Sequence, residues 1–188
     1  VGAKLGEANV LQAIGDVQQF RDERDAALDS YHAALQLFKA VGAKLGEANV
    51  LKAIGDVQQF RKETDAALDS YHAALQLFKA VGDRLGEANV LAALSRMAVR
   101  EGKIVEAERQ FAEIIQMRRA IQDLYSEGAD YGNFSFALLD AGHKAKAKEY
   151  ALEARSVFER INLPAIVEMM ERVIAACDDD QRPDEHPA

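Results

Sequence analysis

His32 and His72 each follow a tyrosine and stand forty residues apart in matching surroundings. An imidazole can hold a metal or relay a proton near neutral pH. A helical metal site wants a second ligand one turn on, and neither histidine has one at the fourth following position. The simpler reading is a solvent-facing histidine that was copied with its surroundings. His143 falls in a turn and His186 in the tail, and neither converges with other reactive groups. Cys177 is the only cysteine, which rules out a disulfide framework and a cysteine-based zinc site and favours a reducing, cytoplasmic setting. Acidic pairs such as Glu106 and Glu108 have the pattern of a solvated helix face. Met169 and Met170 read as packing in a terminal helix. No glycine-rich loop follows a strand, because no strand pattern occurs. The sequence therefore predicts no catalytic residue, no metal and no cofactor: not an enzyme.

The elements that carry these residues are repeats. Positions 41–80 read VGAKLGEANVLKAIGDVQQFRKETDAALDSYHAALQLFKA, and positions 1–40 differ only at Gln12/Lys52, Asp22/Lys62 and Arg24/Thr64. Two looser versions follow at 81–120 and 121–160. Ala67, Tyr71, Ala74, Leu75 and Phe78 recur at steps of three and four, as do Val50, Leu51, Ile54 and Val57, so each unit holds two amphipathic helices. The polar link FRKETD offers Thr64 or Asp65 as a helix cap; Gly82 suits a left-handed helix end and Asp83 the next cap. Gly15 and Gly55 become Ser95 and Ser135, while Ala27 and Ala67 become Ala107 and Ala147. Small residues persist although glycine inside a helix costs about 1 kcal/mol relative to alanine, which implies a close crossing of the two helices. Such hairpins bury their apolar faces only by stacking. After Arg160, Pro164 suits the first turn of a helix, and Ile166, Met169, Met170, Val173 and Ile174 follow at helical spacing. Residues 161–177 thus form a capping helix, and the acidic stretch 178–188, without apolar anchors, is expected to be disordered.

These units resemble the tetratricopeptide repeat family, whose pattern asks for a large apolar residue and glycine in helix A and for alanine, an aromatic and alanine in helix B. Ile14-Gly15, Ala27, Tyr31 and Ala34 match it, as do Ile54-Gly55, Ala67, Tyr71 and Ala74. The third unit gives Leu94-Ser95, Ala107 and Phe111, and the fourth Phe134-Ser135, Ala147 and Ala154, with Ala151 in the aromatic's place. The turn glycine is present as Gly102 and Gly142 but is Asp22 and Lys62 earlier. The forty-residue period is similar to that of kinesin light chains and bacterial signalling proteins. The resemblance implies an all-α fold, a right-handed superhelical α-solenoid of four hairpins (1–40, 41–80, 81–120 and 121–160) plus the capping helix.

It also implies a concave groove lined by helix A, with ligand contacts at the second, fifth, ninth, twelfth and thirteenth positions. Those positions carry Asn9, Gln12, Asp16, Gln19 and Phe20; then Asn49, Lys52, Asp56, Gln59 and Phe60; then Asn89, Ala92, Arg96, Val99 and Arg100; and finally Ala129, Gly132, Phe136, Leu139 and Asp140. Asparagine and glutamine both donate and accept, which suits gripping an extended peptide backbone, and Asn9, Asn49 and Asn89 repeat as a ladder; the alternative is that they are ordinary polar residues on a wet face. Asp56 stands where a two-carboxylate clamp would need asparagine, which disfavours chaperone-tail binding.

Charge and hydropathy narrow the partners. The net charge is −8, and no basic face offers itself to phosphates, so no nucleic-acid partner is expected. No apolar run is long enough to cross a membrane. The chain opens at Val1 without a signal-peptide pattern, so it reads as a piece of a longer protein. The resemblance implies a protein-interaction module, the sensor or scaffold part of a larger bacterial signalling protein, because the repeats look similar to arrays joined to STAND-type ATPases or to caspase-like proteases. The alternative is a structural scaffold that assembles with itself. Leu5, Val10 and Leu11 match Leu45, Val50 and Leu51 of an interior repeat without polar replacement. The first repeat is therefore expected to expose an apolar edge and to form a homodimer through it.

Overall fold

At every twentieth residue from Asp22 to Asn162 the backbone turns left-handed. Asp22, Gly42, Lys62, Gly82, Gly102, Gln122, Gly142 and Asn162 have φ between 55° and 82°. Each ends a helix in the same way. At Gly82 the amide bonds to the Lys79 carbonyl (3.2 Å), and the Asp83 amide reaches back to the Phe78 carbonyl (3.0 Å). That pair of bonds satisfies carbonyls that a helix end leaves open. The next residue is already the N-cap position of a new helix, so a single left-handed residue reverses the chain.

The computed structural model describes residues 2–178. Among them are nine α-helices and no strand: α1 (Gly2–Phe20), α2 (Arg24–Val41), α3 (Lys44–Phe60), α4 (Thr64–Val81), α5 (Arg84–Arg100), α6 (Ile104–Ala120), α7 (Leu124–Asp140), α8 (Lys144–Arg160) and α9 (Pro164–Asp178). Asp178 closes α9, and the rest of the expected acidic tail lies outside the described residues. Asp83 caps α5 by accepting from the Leu85 and Gly86 amides, both at 3.1 Å. Thr64 and Asp65 do not cap α4. Glu63 holds the cap position without a side-chain bond, and Thr64 and Asp65 fall within the first turn. The Schellman turn before them sets the helix start one residue earlier than their side chains suggest.

The chain divides into two compact units between Val90 and Leu91. In the first, α2 packs on α1 and α3, and α4 on α3. Val50, Ile54 and Val57 of α3 bury against Ala8, Ala27, Tyr31, Ala34 and Phe38 of the preceding hairpin. The expected close crossing is present, with a tyrosine ring as the neighbour that enforces it. A Cβ on Gly55 would lie 2.8 Å from the Tyr71 ring, and one on Gly15 2.5 Å from the Tyr31 ring.

In the second unit α7 packs on α6 and α8, and α9 covers α8. Phe111 and Phe134 stack at 4.2 Å between ring centroids, with Tyr150 edge-on to both. The fourth repeat thus supplies its aromatic from the residue beside Ala151. Ser135 donates to the Ala147 carbonyl at 2.7 Å, so the helices cross closely here too. The sequence pattern misassigned part of the α9 face: Met170, Val173 and Cys177 are buried, whereas Met169 is 43% exposed.

Candidate functional site

In the first unit the helix-A positions lie where a ligand could reach them. Asn9, Asn49 and Asp16 are exposed, and Gln12, Lys52, Asp56, Gln59 and Asn89 are half-buried. Their setting is fixed from behind by the two helix-B tyrosines. The buried Tyr31 hydroxyl donates to Asp16 at 2.8 Å and also lies 2.8 Å from the Gln19 side-chain oxygen. Tyr71 donates to Asp56 at 2.8 Å in the same way. Burial, with the Asp16 bond second, pushes the Tyr31 phenol well above its ordinary value, so it remains a proton donor to Asp16 at any physiological pH. The tyrosine that closes the hairpin crossing therefore also orients a carboxylate on the opposite helix.

Lys52 lies 2.6 Å from Asp56, one turn along the same helix. Its ammonium is already partnered, a second reason, besides the carboxylate itself, why this position makes a poor carboxylate clamp. Gln12 stands in the corresponding place of the first repeat, so Asp16 has no lysine one turn before it.

Two cavities open on this surface, both inside the first unit. One brings Asn9, Gln12 and Asn49 together, alongside Leu5, Lys44 and Leu45. The other, about 480 Å³, is lined by Asp16, Gln19, Phe20, Asp22, Arg24, Val57 and Phe60. Phe20 is 91% exposed and Phe60 66%, a large apolar area to leave in water. Arg24 lies over the Phe60 ring at 5.3 Å and bonds Asp22 at 2.5 Å. Asp22, Arg24 and Val57 were missed as lining residues by position matching. The available signal was that Asp22 and Arg24 are two of the three places where the first two repeats differ.

In the third repeat Arg96 is half-buried and Arg100 exposed, while Ala92 and Val99 are buried and offer no surface. Arg96 lies close enough to the buried Asp130 for its charge to act on that carboxylate. His32 and His72 are exposed. Among the described residues no group of three histidine, cysteine or acidic side chains could hold a metal, and no helix is long and apolar enough to cross a membrane.

On α1, Val10 is 59%, Ile14 42% and Val17 52% exposed, against 0%, 2% and 0% for Val50, Ile54 and Val57 at the same repeat positions. The uncovered edge of the first repeat therefore contains the expected Val10 and adds Ile14 and Val17. Leu5 is 38% exposed, but Leu45 and Leu85 are 48% and 47% exposed in repeats that have a predecessor, and Leu11 is half-buried like Leu51. Leu5 and Leu11 thus have much the same exposure as their interior counterparts.

Residues 46–120 match the family model of the tetratricopeptide repeat. No curated protein sequence matches the chain. Among solved structures, aspartyl phosphate phosphatase F from Bacillus subtilis aligns over 90% of this chain and 45% of its own, with a TM-score of 0.80 at 12% identity. A signal transduction ATPase with numerous domains and a tetratricopeptide repeat sensor, from Pyrococcus horikoshii, aligns over 96% and 28%, with a TM-score of 0.77 at 13% identity. A Rap protein complexed with competence and sporulation factor aligns over 93% and 56%, with a TM-score of 0.72 at 15% identity. At these identities the likeness is one of fold, and the chain spans about half or less of the length of these structures. The matched segment takes in most of the second repeat and all of the third, and the first repeat copies the second at all but three positions: residues 46–120 carry tetratricopeptide repeats, and the fold around them is similar to that of other proteins built from such repeats.

Proposed function

We propose that this chain is a protein-interaction module that binds an extended segment of a partner protein along the helix-A faces of its repeats. The observation that carries this reading is the cavity that gathers Asn9, Gln12 and Asn49, side chains able to donate to and accept from a peptide backbone. Asn89 continues the ladder; Asp16, Lys52, Asp56 and Gln59 set the charge and hydrogen bonding beside it. Arg96 and Arg100 give the third repeat a cationic face suited to an acidic stretch of the segment. The Rap protein complexed with a factor and the ATPase with a repeat sensor support recognition as a use of this fold. The ATPase also supports a place within a larger signalling protein, and the lone cysteine suits the reducing cytoplasm. No nucleic acid, membrane or cofactor enters this reading, nor does a catalytic step.

The test is selection of random dodecapeptides on the immobilised protein, followed by titration of the enriched peptides. Replacing Asn9, Asn49 and Asn89 together by alanine should weaken binding at least about tenfold, since each buried amide left unpaired is costly, while the melting temperature stays within a degree or two. Unchanged affinity would move recognition away from the ladder.

A second reading, a scaffold that assembles with copies of itself, is favoured by one observation: Val10, Ile14 and Val17 are exposed on α1. An isologous contact of two such edges is the simplest closed form, and a homodimer of this kind is compatible with groove binding.

A further inference from the structure

Duplication followed by drift makes a natural mutagenesis experiment inside this chain. Between the first two repeats every core position is retained, and the three differences, Gln12/Lys52, Asp22/Lys62 and Arg24/Thr64, all alter charge. In the first repeat Gln12 lines one surface cavity, and Asp22 and Arg24 line the other. Drift at random solvent-facing positions would not have to fall at cavity walls. The pocket of Phe20 and Phe60 thus carries charges, at Asp22 and Arg24, that the second repeat does not share at the same positions.

That pattern specifies a ligand. Val57, fully buried, forms the floor, and the two exposed phenylalanine rings offer aromatic surface around about 480 Å³, within the range of pockets that hold a side chain or small molecule. Arg24 is bonded to Asp22 and laid on Phe60, so its charge is balanced within the pocket. Asp16 differs. Tyr31 holds one of its oxygens, and Gln12 replaces the lysine that pairs the equivalent carboxylate in the second repeat. The pocket therefore presents an apolar slot with one unbalanced negative charge at its rim. One turn back on α1, Gln12 leads into the cavity with Asn9 and Asn49.

We infer that this pocket anchors the bound segment by a large apolar side chain, aromatic or long aliphatic, that has a lysine or arginine as a near neighbour in sequence. The apolar side chain inserts between Phe20 and Phe60, and the cation meets Asp16 with Asp22 nearby. An acidic neighbour at the same place is rejected by the same carboxylate. This rests on the reading of the helix-A face as a peptide groove and adds the chemistry of what it reads.

The dodecapeptide selection tests it directly, because the enriched sequences report their own chemistry. The expected result is enrichment of an aromatic, leucine or isoleucine within two residues of lysine or arginine. Phe20→Ser with Phe60→Ser, two exposed sites that leave the core intact, should weaken those peptides at least about tenfold, as truncating an aromatic anchor does. Asp16→Asn, which keeps the acceptor for Tyr31, should leave the apolar preference and abolish the basic one. Enriched peptides that ignore the phenylalanine changes but fail on the Asn9, Asn49 and Asn89 variant would overturn the anchor and leave the groove standing. Peptides with acidic neighbours, or binding unmoved by Asp16→Asn, would overturn the charge assignment. No enrichment at all would overturn both readings.

Discussion

Lys62 holds a φ of 62°, a conformation that costs a residue with a Cβ about 1–2 kcal/mol. Gly102 and Gly142 occupy the same turn without that cost. Lys62→Gly should therefore raise stability by about 0.5–1 kcal/mol, the relief being partly offset by the freer unfolded chain, as urea denaturation would measure. The left-handed turn was legible at Gly82 because glycine marks it. At Asp22 and Lys62 it was legible only by comparison with Gly102 and Gly142, and at Gln122 it was not legible, because there the Schellman bonds impose the geometry on a residue whose type gives little sign of it. The other surprise at this scale is Arg118, 2% exposed, whose Nε donates to Asp130 at 2.8 Å. The same two repeat positions hold phenylalanine and valine earlier, as Phe38 with Val50 and Phe78 with Val90, and the glycine that accommodates the ring, Gly46 or Gly86, becomes Ser126. An ion pair has replaced an apolar contact at this junction. Either Arg118→Phe or Asp130→Val alone should cost about 3–5 kcal/mol by stranding a buried charge. Arg118→Phe, Asp130→Val and Ser126→Gly together should recover the loss, a non-additivity that a mutant cycle would measure.

Among the elements, the helix pair of the second repeat depends on how closely α3 approaches the Tyr71 ring of α4. Gly55→Leu should lower stability by about 1–3 kcal/mol although leucine is the better helix former; a higher melting temperature would mean the pair can part without penalty. The reading of small residues at Gly55, Ser95 and Ser135 located this crossing from sequence, since comparing units within one chain separates what the fold needs from what it tolerates. It left the tyrosine's second task unseen, because the hydroxyl bonds to Asp16 and Asp56 join positions 15 residues apart on different helices. Helical spacing grouped Ile54 and Val57 with Val50, and so Ile14 and Val17 with Val10, but it could not choose between Met169 and Met170. Where apolar residues crowd a helix on several sides, packing against the neighbour decides which side is covered.

At the scale of the molecule, the α1 edge argues for association. Val10, Ile14 and Val17 are the residues that α3 buries at its own junction, so two chains meeting there would cover what is now exposed. Light scattering at high concentration should show a dimer, and Val10→Lys with Val17→Lys should return it to monomer with an unchanged helical circular dichroism spectrum. A wild-type chain that stays monomeric at millimolar concentration would contradict that reading. Recognition on the helix-A face is the more central claim, and amide resonances report it most directly. On titrating the isotopically labelled chain with a peptide enriched by selection, the account predicts shifts concentrated at Asn9, Gln12, Asp16, Phe20, Asn49 and Phe60, with His32 and His72 on the helix-B surface unmoved. Shifts centred on α2 and α4 around those histidines, with the helix-A amides unmoved, would contradict it.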